Sequence, residues 1–374
     1  MKRVLQIYGE ILSNGGQEAY SMNMYRNINR EKVQFDFYTP YYCDNENLVR
    51  EIEQLGGKVY TGGGKFELEG NKKDFVKNLS EFLSNNPYEI VHINSGSIFA
   101  LAFGAKIAKK YGAKNIIVHS HCTGNDNIKY RIIKAISSGI FLRNATYYCA
   151  CSKEAAIWKF PKKIIKNGKF EIIKNGIELD KFKFSENIRN EYRKKLNIDN
   201  KYVLAHVGRF TDQKNHEFLI KVFAQLRNKY SDCKLLLIGD GPNREKITEM
   251  VNEMGLDESV SFLGIRNDVN KILQAADIFV FPSRFEGLGI VAIEAQATGL
   301  PTICSENIPD EANQTDLFNK LNLSDGIDVW ANKIIELKDK KISADRCEYS
   351  QMLKKAGYDA KDSAKRLEDI YLRG

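Results

Sequence analysis

Short apolar segments with strand character alternate with helical segments along this chain, in two successive series. The predicted strands of the first series are residues 4–8, 33–38, 90–93, 116–119 and 146–150. Those of the second series are residues 203–207, 234–238, 260–263, 278–281 and 302–304. Strands separated by helices are typical of parallel, doubly wound sheets. Because 374 residues are too many for one ordinary core, the pattern predicts an α/β chain with two Rossmann-like domains.

The boundary between these domains is predicted near residue 180, since residues 172–177 have the pattern of a last strand with an exit turn at Asn175-Gly176. The first domain then spans residues 1–180 and the second residues 181–349. A helical tail from about residue 350 to residue 374 follows the second domain.

The segment from Phe281 to Ala295 has the pattern of a buried strand, a tight turn and a helix. Gly287 and Gly289, with Leu288 between them, allow close backbone approach to a ligand, and the unpaired N–H groups of the helix N-terminus favour a diphosphate. Glu286 before the helix and Glu294 within it are carboxylates suited to accept hydrogen bonds from hydroxyls of one extended ligand. The alternative is a pair of solvated glutamates, which many helices carry by chance.

A second strand, residues 202–207, runs into Gly208, Arg209 and Lys214 before the next helix. An Arg fork and a Lys point charge directly after a strand are suited to neutralise a diphosphate leaving group. A solvated basic loop is the alternative interpretation. The strand-loop-helix order favours the ligand site.

In the first domain, Gly15-Gly16 follows the first strand and permits close approach of the backbone to a phosphate or sugar. The loop lacks the G-x-G-x-x-G fingerprint, which disfavours a nicotinamide-dependent dehydrogenase. A plain strand-helix turn is the alternative. His119 and His121 end another strand and point to the same side by alternation. A lone histidine is more often structural, but two at a strand end in a chain with only five favour a role in the site.

Several spaced motifs follow one another in an order that resembles the retaining glycosyltransferases of family four, which have the GT-B fold. They are Gly208-Arg-Phe-x3-Lys214-Asn, Gly239-Asp-Gly241, Phe262-Leu-Gly264, and Pro282-Ser-x2-Glu286-Gly-x6-Glu294-Ala-x3-Gly299-x-Pro301. The resemblance runs from Met1 to about Gly299 and is strongest to bacterial enzymes of capsule and exopolysaccharide synthesis. It implies two Rossmann-like domains that face a central cleft, with the helical tail crossing back onto the first domain.

The resemblance also implies a UDP-sugar donor, retention of anomeric configuration, and a role for each matching residue. Arg209 and Lys214 would bind the diphosphate, Glu294 the ribose, and Glu286 the donor sugar. The segment from Gly264 to Arg266 would lie near the base, and His119 beside the donor sugar and reacting centre. One segment departs from the pattern: residues 306–313 lack the glycine-rich phosphate loop that many relatives have there.

No metal and no cofactor other than the donor are expected, because the cations and a helix terminus can neutralise the diphosphate and the chain has no Asp-x-Asp motif. In the implied front-face mechanism the acceptor hydroxyl attacks on the side from which the diphosphate leaves. Catalysis then consists of positioning and charge stabilisation.

Location and partners are predicted from composition. The chain has no apolar run of about 18 residues and begins with a strand in place of a signal peptide, so a cytoplasmic enzyme is expected. The net charge is +8, but nucleic acid is a weak interpretation. Residues 129–143 mix cations with apolar residues, so a polar face could meet anionic lipid while the apolar face is buried. A core helix with a solvated basic edge is the alternative, and the oligomeric state is not predicted.

The acceptor implied by the resemblance is a glycan or a lipid-linked sugar. Two other classes of protein remain open. A sugar-nucleotide epimerase of similar architecture would convert the donor without an acceptor, and a noncatalytic partner subunit would keep the fold without activity. The intact Arg209, Lys214, Glu286 and Glu294 argue against the second.

Overall fold

A computed structural model describes residues 1–13, 15–65, 72–121, 128–340 and 345–373 of the chain. The chain divides into two compact units. Unit 1 comprises Met1–Ile177 and Tyr358–Gly374, and unit 2 comprises Glu178–Gly357.

Unit 1 is built on a seven-stranded parallel sheet with the order β3-β2-β1-β4-β5-β6-β7. Its strands are β1 (Lys2–Tyr8), β2 (Val33–Thr39), β3 (Val59–Thr61), β4 (Ile90–Ser95), β5 (Asn115–Ser120), β6 (Tyr147–Ala150) and β7 (Glu171–Ile172). Its first helices are α1 (Gly16–Asn27), α2 (Glu46–Gln54), α3 (Lys72–Asn85), α4 (Ile98–Lys110), α5 (Ile128–Asn144), α6 (Lys153–Lys159) and α7 (Lys162–Lys166).

Both faces of the unit 1 sheet are buried, as parallel sheets require. Successive side chains of β1 alternate between two cores: Leu5 and Ile7 pack in one, and Val4 and Tyr8 in the other. The strand order reverses between β1 and β4, so the carboxyl ends of these two strands mark the switch point of this sheet.

Unit 2 has a six-stranded parallel sheet with the order β10-β9-β8-β11-β12-β13. The strands are β8 (Tyr202–Val207), β9 (Cys233–Ile238), β10 (Val260–Gly264), β11 (Ile278–Phe281), β12 (Thr302–Ser305) and β13 (Phe318–Leu321). The helices are α8 (Leu179–Phe182), α9 (Glu186–Lys195), α10 (His216–Lys229), α11 (Arg244–Glu253), α12 (Val269–Ala275), α13 (Ile290–Ala297), α14 (Ile327–Asp339) and α15 (Tyr349–Lys355). Here the order reverses between β8 and β11.

The predicted α/β architecture with two doubly wound sheets is confirmed. The sequence pattern missed β3 and β13, the outermost strands of their sheets. Both are short, and their residues are half-buried or exposed, so they lack the apolar run by which the inner strands are recognised. In the described parts of the chain, no helix is long and apolar enough to cross a bilayer.

The last helix, α16 (Ala360–Leu372), packs within unit 1. An isolated parallel bridge joins Ile177 to Asp359. The Ile177 N–H donates to the carbonyl of Tyr358, and the Ala360 N–H donates to the carbonyl of Ile177, each with an N to O distance of 2.9 Å. The helix lies against α1 and buries an apolar stripe made of Ala360, Ala364, Leu367, Ile370 and Tyr371.

The return to unit 1 begins at Tyr358, later than the tail predicted from about residue 350. The reason is that α15 packs against α13 and α8 and therefore belongs to unit 2. The domain boundary was predicted near residue 180, and in the structure unit 1 ends at Ile177 and unit 2 begins at Glu178.

The junction of α16 with the chain leaving β7 requires a glycine. A Cβ atom at Gly176 would lie 2.8 Å from the Cα and N atoms of Ala360, both of which are backbone atoms. We expect Gly176→Ala to lower the free energy of unfolding by about 1–3 kcal/mol, as overpacking usually does. Urea unfolding of the full chain measures this change.

Gly139 in α5 provides the matched control, because a Cβ atom there would meet no atom within 4 Å. Gly139→Ala should be neutral or stabilise by up to about 1 kcal/mol through helix propensity. Equal effects of the two substitutions would contradict the packing argument.

Candidate functional site

In unit 2 the loop after β8 and the loop after β11 leave neighbouring strands at the switch point, where open α/β sheets bind their ligands. Asn215, at the start of α10, has a left-handed backbone with φ 56°, which asparagine tolerates better than most residues. Its Nδ2 donates to the carbonyl of Pro282 at 3.1 Å, and Arg284 Nη2 donates to its Oδ1 at 3.1 Å. Sequence reasoning did not identify this link between the two loops.

Lys214 and Glu286, one from each loop, form an ion pair with Nζ 2.6 Å from Oε1. Their side chains are 17% and 9% exposed. The Lys214 ammonium also lies 4.7 Å from the centroid of the Phe281 ring. Because charges this poorly hydrated need a partner, the pair places a cation and a hydrogen-bond acceptor side by side at the carboxyl ends of β8 and β11.

Glycines shape the rest of the loop after β8. A Cβ atom on Gly208 would lie 3.1 Å from Cγ and Cδ of Lys214, so the absent side chain lets Lys214 lie close to the backbone. Gly239 has φ 135°, and a Cβ there would be 2.1 Å from the carbonyl oxygen of Gly208. Arg209 is exposed, and its side chain makes no hydrogen bond or ion pair with any described residue. Its guanidinium is therefore available to an anion.

The α13 helix begins at a glycine with a left-handed backbone. Gly289 has φ 75° and stands at the N-cap without a side-chain cap, so the first N–H groups of the helix remain uncapped. Gly287 is exposed and is not among the described residues with positive φ, whereas Leu288 is buried at 6% exposure. Of the two glycines, Gly289 makes the turn.

Glu294 lies in α13 and makes no side-chain hydrogen bond or ion pair with the described residues. Although part of its surface is accessible, the surrounding protein removes the carboxyl from water and raises its pKa to about 8. A carboxyl group that is poorly hydrated and lacks a partner is ready to accept hydrogen bonds from a ligand.

Arg266 already has a partner in this structure. Its Nε and Nη2 donate to the two oxygens of Asp268 at 2.7 and 2.6 Å. The hydroxyl of Tyr192 donates to the same carboxylate at 2.8 Å, and the Arg266 guanidinium beside it is the main reason for the lowering of the Asp268 pKa to about 2. The side chain is thus fixed, and Gly264, with φ 67°, turns the preceding chain.

In unit 1, His119 is completely buried near the carboxyl end of β5, and His121 just beyond it is 6% exposed. Their rings stack with centroids 4.1 Å apart, and Tyr20 of α1 packs against both. Burial lowers the pKa of His119 well below its ordinary value and that of His121 to about 3. Both rings are therefore neutral near pH 7. The ring of His119 is enclosed by protein in this structure.

The glycine pair after β1 has neighbours that the sequence analysis did not consider. A Cβ on Gly15 would lie 2.5 Å from Glu18 Oε2, so this glycine makes room for the carboxyl group, whereas Gly16 has no atom near its Cβ direction. Asn14 lies outside the described residues. Burial raises the pKa of Glu18 to about 7, and it also raises the pKa of Glu10. Two acidic side chains thus adjoin this loop.

The structure places Gly208, Arg209, Lys214, Glu286, Gly287, Leu288, Gly289 and Glu294 on two adjoining loops and the helix of unit 2. Gly15, Gly16 and His119 lie in unit 1, near the carboxyl ends of β1 and β5. Among the residues that the structure describes, no three His, Cys, Asp or Glu side chains are grouped as a metal site would require.

Comparisons with known proteins agree with this architecture. Residues 14–181 match the Glycosyltransferase Family 4 model, and residues 188–359 match the model for glycosyl transferases group 1. EpsF of Bacillus subtilis, named as a glycosyltransferase, is 32% identical over 99% of this chain and 96% of its own length. The capsular polysaccharide biosynthesis glycosyltransferase CapH of Staphylococcus aureus is 26% identical over 91% of this chain and 92% of its own.

A third relative is the UDP-Gal:alpha-D-GlcNAc-diphosphoundecaprenol alpha-1,3-galactosyltransferase of Escherichia coli, 27% identical over 82% of this chain and 75% of its own. Among solved structures, Anabaena HepE in complex with UDP superposes with a TM-score of 0.76 over 100% of both chains at 18% identity. That likeness concerns the fold. Together with the full-length match to EpsF and the two family models, it shows that this chain belongs to the family-four glycosyltransferases and has the GT-B fold.

Proposed function

We propose that the protein transfers a sugar from a UDP-sugar, with retention of anomeric configuration, to a glycan or lipid-linked sugar in capsule or exopolysaccharide biosynthesis. The observation that carries the proposal is the partly buried Lys214–Glu286 pair at the switch point, together with Arg209 and Glu294 in the same unit, whose side chains have no hydrogen-bond or ion-pair partner among the described residues. Support for the pathway comes from the capsular relative CapH, and support for a UDP-sugar donor from the galactosyltransferase.

In this proposal different residues of unit 2 bind the diphosphate, the ribose, the sugar and the base of the donor. Lys214 and Arg209 neutralise the diphosphate, helped by the uncapped N–H groups after Gly289. Glu294 accepts hydrogen bonds from the ribose hydroxyls, and Glu286 from hydroxyls of the donor sugar. The backbone from Gly264 to Arg266 borders the base, while the Arg266 side chain stays bound to Asp268.

Catalysis in this proposal is positioning plus stabilisation of charge on the departing diphosphate. The acceptor hydroxyl attacks on the face from which UDP leaves, and its proton passes to the β-phosphate. Neither a metal ion nor a further cofactor takes part, because Lys214 and Arg209 supply the positive charge. His119 and the Gly15-Gly16 loop of unit 1 are assigned to the donor sugar and reacting centre.

Two alternatives differ in their products. An epimerase would convert the UDP-sugar with no acceptor present, and a noncatalytic partner subunit would bind the nucleotide without turnover. Incubation with the donor alone, followed by chromatography of the sugar nucleotides, separates the three. An epimerised donor would contradict transfer as the activity.

The α5 helix gives a further part of the proposal, peripheral contact with the inner face of the cytoplasmic membrane. Ile128, Ile132 and Ile136 are 76%, 56% and 62% exposed and lie on one stripe at a spacing of four residues. Sequence analysis placed the apolar face of this helix inward. That holds for Phe141, which is completely buried, whereas the isoleucine stripe faces outward.

Basic residues are found on α5 and on the helices that follow it. Lys134 donates to the carbonyl oxygen of Ile157 at 2.7 Å, which joins α5 to α6, where Ile157 is itself 47% exposed. The following helix α7 adds the exposed Lys162 and Lys163. Apolar side chains with cations beside them fit a surface of anionic lipid, which is where a lipid-linked acceptor would be found.

The donor site can be tested by thermal unfolding with UDP, GDP, ADP and several UDP-sugars. Above pH 8, where Glu294 is ionised, UDP compounds should raise the melting temperature of the wild type, and Glu294→Gln should weaken that rise because an amide accepts hydroxyl hydrogen bonds less strongly than a carboxylate. Glu245→Gln, at an exposed position of unit 2, is the matched control. No response to any nucleotide would contradict the donor assignment.

The same Glu294→Gln variant makes a prediction about pH. Folded Glu294 has a pKa of about 8, above the value of about 4.3 for an unfolded glutamate. The folded state therefore holds a proton that the unfolded state loses, so this group's contribution to stability falls as pH rises from about 4 to about 8. Relative to the wild type, Glu294→Gln should gain about 1–3 kcal/mol by pH 8. A pH-independent difference would contradict the unpaired carboxyl.

Lys214→Ala and Arg209→Ala should mainly lower kcat, Lys214→Ala by about 100-fold, because each removes a cation that acts on the leaving diphosphate. Lys229→Ala is the control, because Lys229 ends α10, the helix that follows the Lys214 loop, and its loss breaks a surface ion pair with Asp328 of α14. Steady-state assays are run in EDTA. Wild-type turnover in the variants would contradict the phosphate role, and activity that returns only with Mn²⁺ would contradict metal independence.

Membrane contact is measured by sedimentation with vesicles. The wild type should bind vesicles that contain anionic lipid, and the double variant Ile132→Ser/Ile136→Ser should bind about tenfold or more weakly because two inserted apolar side chains are lost. Val329→Ser, at a position 43% exposed in unit 2, is the control. No binding at low salt would exclude this contact.

A further inference from the structure

A row of polar side chains crosses the centre of the unit 1 sheet on the face covered by α16. It contains Gln6 of β1, His92 and Asn94 of β4, and His119 of β5, each no more than 2% exposed. Neighbouring positions of these strands are in register, with Gln6 opposite His92 and Asn94 opposite His119. Buried polar groups must be hydrogen-bonded to be tolerated, so their partners define what the row does.

Tyr371 of α16 is the point at which two hydrogen-bonded branches meet. In one branch, His92 Nδ1 lies 2.5 Å from the Tyr371 hydroxyl, and His92 Nε2 lies 3.1 Å from His119 Nδ1. In the other branch, Gln6 Nε2 donates to the Tyr371 hydroxyl at 3.3 Å, and Asn94 Nδ2 donates to Gln6 Oε1 at 2.9 Å.

The donors fix the direction of the first branch. The Tyr371 oxygen accepts from Gln6, and Nδ1 of His92 is the acceptor that the described residues offer to the buried Tyr371 O–H, so the O–H donates to Nδ1. Burial lowers the pKa of His92 to about 3, so the ring is neutral and carries its single proton on Nε2. That N–H donates to Nδ1 of His119, which leaves the proton of His119 on its Nε2.

The second branch determines which nitrogen of His121 carries the proton and which one is left as an acceptor. Asn94 donates through Nδ2 to Gln6, so its Oδ1 accepts from Nε2–H of His121 at 2.8 Å, and Nδ1 of His121 keeps a lone pair. Nε2 of His119 and Nδ1 of His121 are both buried and form no hydrogen bond of normal geometry with a described residue, although the Asn175 side chain lies close enough to His121 to oppose the lowering of its pKa. The stacked rings thus offer one N–H donor and one acceptor, the complement of a hydroxyl group.

We propose that Tyr371 is a positioning residue for sugar transfer: through His92 it holds His119, whose ring is enclosed in this structure, in the Nε2–H tautomer, the form in which the ring can donate a hydrogen bond when a sugar hydroxyl reaches it. The inference rests on the proposed function, because it gives His119 its chemical role there. Tyr371 itself touches no substrate. It acts on His119 through the ring of His92, which is hydrogen-bonded to both.

The test compares Tyr371→Phe with Tyr25→Phe in the full chain. Both tyrosines pack against Phe35 in the same core, and Tyr25 also loses hydrogen bonds on substitution, to Gln34 Oε1 at 2.6 Å and to the carbonyl of Leu55 at 3.1 Å. Nitrogen-15 correlation spectra of histidine-labelled protein report the tautomer of each ring. Only five histidines need assignment, by single His→Gln variants.

We expect wild-type His119 as the Nε2–H tautomer. Tyr371→Phe should give mixed tautomers and about tenfold lower kcat with little change in donor KM, the effect of one neutral hydrogen bond, whereas Tyr25→Phe should change stability alone. Should Tyr371→Phe fail to fold, Gln6→Met serves as the second variant. It keeps the Tyr371 hydroxyl, removes the N–H that sets its direction, and should also mix the tautomers.

An Nδ1–H tautomer of His119 in the wild type would overturn the proposal, since His119 would then donate to His92 and its Nε2 would have no proton to offer a sugar hydroxyl. The proposal would also be overturned if Tyr371→Phe and Tyr25→Phe had the same histidine spectra and the same kcat. The spectra need no turnover. A wild type without transferase activity but with the expected tautomers would therefore count against the proposed function while the hydrogen-bond circuit stood.

Discussion

Parallel sheets leave few places for polar chemistry, because crossover helices cover both faces and water reaches the strands mainly at their ends. In unit 2 the helices that follow β8 and β11 lie on opposite sides of the switch point, so the loops after these strands diverge there. Lys214, Glu286 and the start of α13 all lie in this gap. Their proximity is therefore a consequence of strand order, and the Asn215 contacts to Pro282 and Arg284 only refine it.

The Lys214–Glu286 pair has an energetic consequence for a ligand. Each charge is removed from most of its water, and each compensates the other. In the proposed function, a diphosphate that approaches the ammonium would meet a cation whose desolvation has already occurred during folding, so less reorganisation would remain for the binding step. Glu294 is the contrasting case, since its carboxyl is removed from water with no compensating group among the described residues, and its pKa is raised in consequence.

Sequence reasoning identified what depends on local pattern. The inner strands, the turn at Gly289 and the cations after β8 are each encoded within about ten residues, so periodicity and turn chemistry were sufficient to predict them. The bidentate partner of Arg266 is two residues away, but a pattern cannot tell a salt bridge from a ligand contact. The outward isoleucines of α5 were missed because the helix has apolar residues on more than one side. Tyr371 and His92 are 279 positions apart, and no local rule connects them.

The position of α16 makes unit 2 an insertion within unit 1, since the chain leaves the first unit after Ile177 and returns at Tyr358. During synthesis from the N-terminus, unit 2 can be complete while the sheet of unit 1 still lacks the helix that covers its polar row. The aromatic and histidine layer beneath Tyr371 is closed only by a segment that is synthesised after unit 2. Completion of the unit 1 core is thus coupled to synthesis of unit 2 and of α16, so products that end before α16 would expose this layer even though all seven strands were present.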